Sequence, residues 1–251
     1  YVTAGTFNVV ATDVNGCTST IEDVVVGPDA ININTTSSPV ACLGNANGLI
    51  SWAPVGGVGS FTVMVDTVDV TGSSLGDLAP GTYNVIVTDG NGCSNSESID
   101  VFDAVAIITT AEAIAASCYG INDGVVTVMG SGGSGMFQYS DNGNTFADGS
   151  EFDDLSAGDY TFFAQDENGC ISEANVTVTE PDAIVITGLA SEGEDTGEAV
   201  IDISVTGGTP DYSYEWTGPG VAGTSSADLD GLSTGTYVVE VTDASGCTSS
   251  S

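Results

Sequence analysis

Carboxylates and cysteines are the main side chains in this sequence that could act as catalysts, metal ligands or covalent links. The chain has 251 residues with 35 Asp and Glu and 6 Cys, and it has no Lys, Arg or His. Paired carboxylates can hydrolyse glycosides, but the candidate pairs Asp153 with Asp154 and Glu22 with Asp23 are adjacent, so in a strand they point to opposite faces. Because the commonest general base and every cationic side chain are missing, we predict that the chain is not an enzyme.

The formal net charge of -35 limits the partners of the chain. Nucleic acids and anionic membrane surfaces are bound through Lys and Arg, so we expect neither nucleic-acid binding nor direct membrane insertion. The densest acidic group is a candidate calcium site, although a solvated loop is the favoured interpretation. It comprises Glu192, Glu194, Asp195 and Glu198. The sequence establishes no cofactor, and calcium is the one candidate.

An internal repeat of about 77 residues organises the whole chain. Four Cys recur at intervals of 76, 77 and 77 residues, and an aromatic column keeps the same intervals. These columns are Cys17, Cys93, Cys170 and Cys247, and Phe7, Tyr83, Tyr160 and Tyr237. We therefore expect the C-terminal part of a truncated repeat at 1–28, whole repeats at 29–104 and 105–182, and a repeat at 183–251 that is truncated in its last strand. The chain is predicted to be a window on a longer array.

Each repeat has the pattern of an all-β domain. Apolar residues alternate with polar ones, as in half-buried strands, and Trp52 and Trp216 fall at inward positions, where packing in the core is favoured over binding of a sugar. A Leu-x-x-Gly-x-Tyr string predicts tyrosine corners at Tyr83, Tyr160 and Tyr237, and Asn-Gly pairs predict hairpins. We predict tandem immunoglobulin-like β-sandwiches stacked head to tail as a rod.

The cysteines are predicted to form disulfides, because four thiolates are nowhere close enough in sequence for a zinc site. In an immunoglobulin topology, Cys42 and Cys118 lie at the opposite pole of a domain from Cys93, Cys170 and Cys247. A strand spans about 20 Å, whereas a disulfide tolerates Cα separations of up to about 7 Å. We therefore favour bridges between repeats, Cys42 with Cys170 and Cys118 with Cys247, while Cys17 and Cys93 pair outside the window. Bridges within repeats are the alternative.

Three short motifs could carry glycans. Asn34 and Asn175 begin acceptor sequons, and Asp66-Thr67-Val68 resembles an O-glycosylation signal of Bacteroidetes surface proteins, which would place the sugar on Thr67. Such motifs match often by chance.

The string from Leu78 to Cys93, repeated from Leu232 to Cys247, resembles the SprB-type repeat of bacterial gliding-motility adhesins. Cys42-Leu43-Gly44 and Cys118-Tyr119-Gly120 are similar to that family too, whereas Asp195 stands where its Cys would be. The resemblance implies a long, repetitive protein at the bacterial cell surface, exported by type IX secretion and displayed as a filament.

We therefore expect a rigid spacer segment in the stalk or filament of an extracellular adhesin. Its partners would be neighbouring repeats and other copies in a filament. A module that binds carbohydrate or calcium, with surface polysaccharide as its partner, and a fibre that assembles laterally are the alternatives.

Overall fold

The computed structural model describes residues 2–192, 199–221 and 223–251, and every regular element in them is a β-strand. The chain divides into two units, Tyr1–Ala106 and Ile107–Ser251, which are taken separately below. Among the described residues, no helix is long and apolar enough to cross a membrane. The predicted all-β fold class is confirmed.

The first unit begins with an antiparallel hairpin of β1 (Gly5–Thr12) and β2 (Thr18–Val25). Among the residues that the structure describes, no second sheet packs on this ribbon. Val9 is 57% exposed, whereas Val85, which holds the same position one repeat later, is fully buried.

Seven further strands form a sandwich in the first unit. Its two sheets have the orders β3-β4-β7 and β6-β5-β8-β9, and all pairings are antiparallel. The strands are β3 (Thr35–Ser38), β4 (Gly48–Trp52), β5 (Thr62–Val65), β6 (Val68–Val70), β7 (Ser74–Leu78), β8 (Gly81–Thr88) and β9 (Ser94–Val101). Ile50, Trp52, Val85 and Val87 pack between the sheets. Each buried side chain of this size stabilises the fold by about 1.5–3 kcal/mol.

The second unit contains two sandwiches, each of two three-stranded sheets. The first has the orders β10-β11-β13 and β12-β14-β15, and the second has β16-β17-β19 and β18-β20-β21. The strands are β10 (Ile107–Ile114), β11 (Gly124–Gly132), β12 (Gln138–Ser140), β13 (Glu151–Leu155), β14 (Gly158–Gln165), β15 (Ile171–Val178), β16 (Val185–Glu192), β17 (Ala199–Thr206), β18 (Ser213–Thr217), β19 (Leu229–Leu232), β20 (Val238–Thr242) and β21 (Thr248–Ser250).

An aromatic side chain lies in each core of the second unit. Phe162 is 1% exposed and packs against Phe152 with ring centroids 4.6 Å apart. Trp216 is 2% exposed, and its indole N–H donates to the Ser226 carbonyl at 2.9 Å. Both Trp52 and Trp216 are therefore core residues, as their inward positions in the sequence predict.

The same bulge recurs where β7, β13 and β19 pair with their neighbours. One extra residue sits on each of these strands, at the point where the register shifts. Asp77, Asp154 and Gly231 occupy the bulge with φ of 57°, 56° and 65°. Gly adopts this left-handed conformation freely and Asp tolerates it, which explains the choice of residues.

Threonine hydroxyls bond to carboxylates across paired strands on the exposed faces. Thr82 Oγ1 donates to Asp100 Oδ1 at 2.6 Å in the first unit, and Thr177 Oγ1 donates to Asp159 Oδ1 at 2.6 Å in the second. Each pair consists of residues directly opposite one another in an antiparallel ladder. Hydroxyls thus supply the cross-strand donors in a chain without Lys or Arg.

Candidate functional site

The junction between the two sandwiches of the second unit holds Cys118 and Cys247, two of the cysteines that the sequence singles out. It is built on the hairpin between β20 and β21. Asp243 begins this turn and is 5% exposed. Its Oδ1 accepts the backbone N–H groups of Ser245 and Cys247, both at 2.9 Å. This is an Asx turn, and it fixes the backbone of Cys247.

The other oxygen of Asp243 binds a second loop. Oδ2 accepts the backbone N–H of Thr209 at 2.7 Å. Asp89 and Asp166 make the same bond to Val58 and Ser134 of their own repeats, both at 3.0 Å. One carboxylate thus joins two loops at the same pole of each sandwich.

Hydrogen bonding lowers the pKa of the Asp243 carboxyl. The bond from Thr209 is the largest cause, burial acts in the opposite direction, and Cys247, Ser245 and Gly246 add to the lowering. At Asp89, burial raises the pKa, but bonds from Cys93, Val58, Asn91 and Gly92 outweigh it, so that this pKa is lowered too. Both groups are therefore held as carboxylates, the form that accepts these bonds.

Glycine is required beside Asp243 for two reasons. Gly208 has a φ of 63°, and a Cβ at this position would lie 2.7 Å from both Asp243 Oδ2 and Ile184 Cγ1. Gly57 and Gly133 hold the same position beside Asp89 and Asp166. The Gly at this position of each repeat is thus explained by its close approach to the carboxylate as well as by its positive φ.

The three tyrosine residues form corners. Each hydroxyl donates to the backbone carbonyl four residues earlier, from Tyr83 to Ala79 at 2.8 Å, from Tyr160 to Ser156 at 2.9 Å and from Tyr237 to Ser233 at 2.7 Å. These bonds fix the turn that precedes β8 and β14 and the approach to β20.

A disulfide joins the two sandwiches of the second unit. Cys118 follows β10 and Cys247 precedes β21, and their Cα atoms are 5.7 Å apart. The two residues are 129 positions apart in the chain. Closing a loop of this length disfavours the unfolded chain by about 5 kcal/mol in the chain-entropy treatment.

The remaining cysteines fall into two groups. Cys17 and Cys93 are free thiols, and both are exposed. Cys42 and Cys170 are disulfide-bonded. Their predicted pairing with each other, and the pairing of Cys17 and Cys93 outside the window, stay predictions.

The loop that carries Cys118 is held on its own sandwich. Asp123 Oδ1 accepts the Ser117 N–H at 2.8 Å. The pKa of Asp123 is lowered, first by a bond from the Ser117 side chain and then by the one from its backbone, against an opposing effect of burial. The Cys118 end of the disulfide is thus anchored next to the bond itself.

The linker between the two sandwiches is bonded on both sides. The Thr179 carbonyl accepts the Ala116 N–H at 2.9 Å, and Glu180 Oε2 accepts the Gly120 N–H at 2.6 Å. On the other sandwich, the Asp182 carbonyl accepts the Gly208 N–H at 2.7 Å. Only Pro181 lies between these contacts, and its ring restricts φ. The junction therefore has two attachments, a short clamped linker and a disulfide.

A cleft of about 430 Å³ lies beside the disulfide. Tyr119, Pro181, Asp182 and Thr248 are among its lining residues. The Tyr119 side chain is 61% exposed. The cleft therefore offers an aromatic face next to carboxylate, hydroxyl and backbone groups.

The predicted glycosylation residues are all exposed. Asn34 donates its side-chain N–H to the Ala53 carbonyl at 2.9 Å, and Asn175 accepts a bond from Thr161 at 2.6 Å. Thr67 lies in the turn between β5 and β6.

The predicted calcium group falls largely outside the described residues. Glu194, Asp195 and Glu198 lie there, and of Glu192 only the backbone, at the end of β16, is described. Within the described part of the chain, no three acidic or Cys side chains are grouped as a metal site requires.

Two hydrogen bonds at the junction were not predicted from the sequence. The bond from Thr209 to Asp243 and the bond from Gly120 to Glu180 join loops that are far apart in sequence. The repeat period of about 77 residues is shared by Asp89, Asp166 and Asp243 and by Gly57, Gly133 and Gly208, and it could have indicated the first of these bonds. An acidic residue recurs in the linkers as Asp103 and Glu180, and Asp103 Oδ1 likewise accepts the Gly44 N–H at 3.3 Å.

The chain is similar to solved structures of other proteins, and three of them are as follows. The N-terminal eight Ig domains of Down Syndrome Cell Adhesion Molecule are 12% identical, with 99% of this chain and 39% of that chain covered and a TM-score of 0.34. The I9–I11 tandem from titin is 15% identical, with coverage of 88% and 97% and a TM-score of 0.37. A structure on Dscam isoform specificity is 12% identical, with coverage of 98% and 78% and a TM-score of 0.22.

The sheets described above define the class of the protein, a tandem array of immunoglobulin-like β-sandwiches. Within it, residues 193–221 match the family model of the SprB repeat. This match supports the resemblance that the Leu-to-Cys strings indicate. No curated protein matches the chain.

Proposed function

We propose that the chain is a spacer segment in the stalk or filament of an extracellular bacterial adhesin, and that it has no catalytic role. The junction in the second unit carries this proposal, because a clamped linker and a disulfide together leave no flexible hinge between two sandwiches. A joint with two attachments resists both bending and rotation. The match to the SprB repeat supports a place at the cell surface and, with it, gliding motility and type IX export.

Small-angle X-ray scattering of the oxidised chain tests the spacer. A compact globule of this length has a radius of gyration of about 18 Å, and the spacer proposal requires a much larger value. Measurements with and without EDTA also test whether calcium contributes to the contacts between repeats. A value near 18 Å would exclude a spacer.

Immunogold labelling of intact cells tests the location independently. An antibody raised against the chain should label the outer surface of unpermeabilised cells. Labelling that requires permeabilisation would contradict an adhesin segment.

The cleft beside the disulfide favours a second candidate function, the binding of surface polysaccharide. Tyr119 could stack on a sugar ring while Asp182 accepts its hydroxyl groups. Glycan-array binding that is lost in Tyr119→Ala, and kept in the control Tyr214→Phe, would support this function. No binding to any glycan would exclude it.

A further inference from the structure

The disulfide of the second unit creates a covalent shortcut through the chain. From Ile107 to Ser251 the backbone passes through both sandwiches. A shorter covalent route follows β10 to Cys118, crosses to Cys247 and continues along β21. The 129-residue separation of the two cysteines measures how much chain the shorter route leaves out.

We propose that this disulfide carries tension past residues 119–246, so that the sandwiches need not resist force. When the ends of a chain are pulled, the shortest covalent route becomes taut first. β10 and β21 already have the extended geometry of strands, at about 3.3 Å per residue. They therefore transmit force through the backbone with little lengthening. Where Cys118–Cys247 is the only disulfide, β11 to β20 stay slack, whereas β1 to β9 precede Cys118 and stay on the loaded route.

The anchoring around both cysteines suits this role. Cys247 is fixed by the bond from its N–H to Asp243, and the Ser117 N–H next to Cys118 is bonded to Asp123. The cores that lie within the bypassed segment include Phe162 and Trp216, both almost fully buried. When the chain is pulled, these cores would stay folded, because the disulfide carries the force. The biological value of the shortcut rests on the proposed spacer function, whereas its mechanics do not.

Single-molecule stretching of the full chain by its two ends tests the proposal. Reduction of the disulfide frees 129 residues, each of which adds about 3.5 Å when extended. The fully stretched wild-type chain should therefore lengthen by at least about 450 Å when a phosphine reductant is added. This measurement needs no substitution, so a folding defect cannot obscure it. Equal lengths before and after reduction would overturn the proposal.

A second protein assigns the gain to one bond. Replacement of Cys17, Cys42, Cys93 and Cys170 by Ser leaves Cys118 and Cys247 as the only cysteines. This protein should show the gain of about 450 Å on reduction, and unfolding steps that release the chain between Cys118 and Cys247 should appear only after reduction. Adding Cys118→Ser and Cys247→Ser should give the longer chain with no response to reductant. A total released length before reduction that equals the one after reduction would refute the shortcut.

These outcomes are distinct from those that test the spacer. A compact particle in scattering would end the spacer proposal and leave the gain in length unchanged. A missing gain would end the shortcut and leave the particle's dimensions as they are.

Discussion

Alanine at Gly208 should destabilise the third sandwich much more than alanine at Gly246. Both glycines have positive φ, 63° and 86°, and both lie near the Asp243 turn. They differ in the space around an added methyl group. A Cβ on Gly208 would lie 2.7 Å from Asp243 Oδ2 and from Ile184 Cγ1, whereas a Cβ on Gly246 meets nothing within 4 Å.

The magnitudes follow from these distances. Alanine in a left-handed conformation costs about 1 kcal/mol of folding free energy, and this cost is common to both variants. The overlap at Gly208 adds the cost of overpacking, about 1–3 kcal/mol. We therefore expect a loss of about 2–4 kcal/mol for Gly208→Ala and about 1 kcal/mol for Gly246→Ala.

Urea unfolding followed by tryptophan fluorescence measures both losses. The chain has two Trp, so a Trp52→Phe background leaves Trp216 as a reporter of the third sandwich. Losses that agree within about 0.5 kcal/mol would refute the claim that close approach to the carboxylate selects Gly208.

Three further predictions concern pH, the core and the thiols. Because the folded pKa of Asp243 is lowered, this carboxylate stabilises the fold above the unfolded pKa of about 3.9, and the stabilisation is lost as the pH falls through the folded pKa. The melting temperature of Asp243→Asn should therefore fall less between pH 7 and pH 3 than that of the wild type. An equal fall would contradict the bonds to Thr209 and Cys247. Phe162→Ala should lower the free energy of unfolding, measured in urea, by about 3–5 kcal/mol. Phe102 is 65% exposed, so Phe102→Ala should lower it by less than about 0.5 kcal/mol. Similar losses would disprove the assigned core. Cys17 and Cys93 should react with iodoacetamide in the oxidised 251-residue chain, because their predicted partners lie outside it; peptide mapping that finds labelled Cys118 or Cys247 would show that the disulfide between these two residues had not formed.

The strands and their inward faces could be predicted because they depend on local pattern. Ile50 and Trp52, and Val126 and Val128, are alternate residues of their strands, as the period-two pattern requires of an inward face, and all four are buried. The Leu-x-x-Gly-x-Tyr string identified the corners, since both the turn and the bonding hydroxyl lie within a few residues. The joining of Cys118 to Cys247 followed from strand length and topology together.

The clamped linker could not be predicted in this way. Glu180 reaches Gly120 across 60 positions of the chain, and an acidic residue beside Pro181 has no pattern that names its partner. The short strand β6 was missed as well, because a three-residue edge strand gives too few positions for alternation to show.

The hydroxyl–carboxylate pairs on the sheet faces affect how the stability of the fold depends on salt. Opposite-charge pairs weaken as ionic strength rises, but a bond from a neutral Thr to Asp loses little when ions screen it. Added salt instead relieves the mutual repulsion among 35 negative groups. Raised ionic strength should then stabilise these sheets, and low ionic strength should destabilise them.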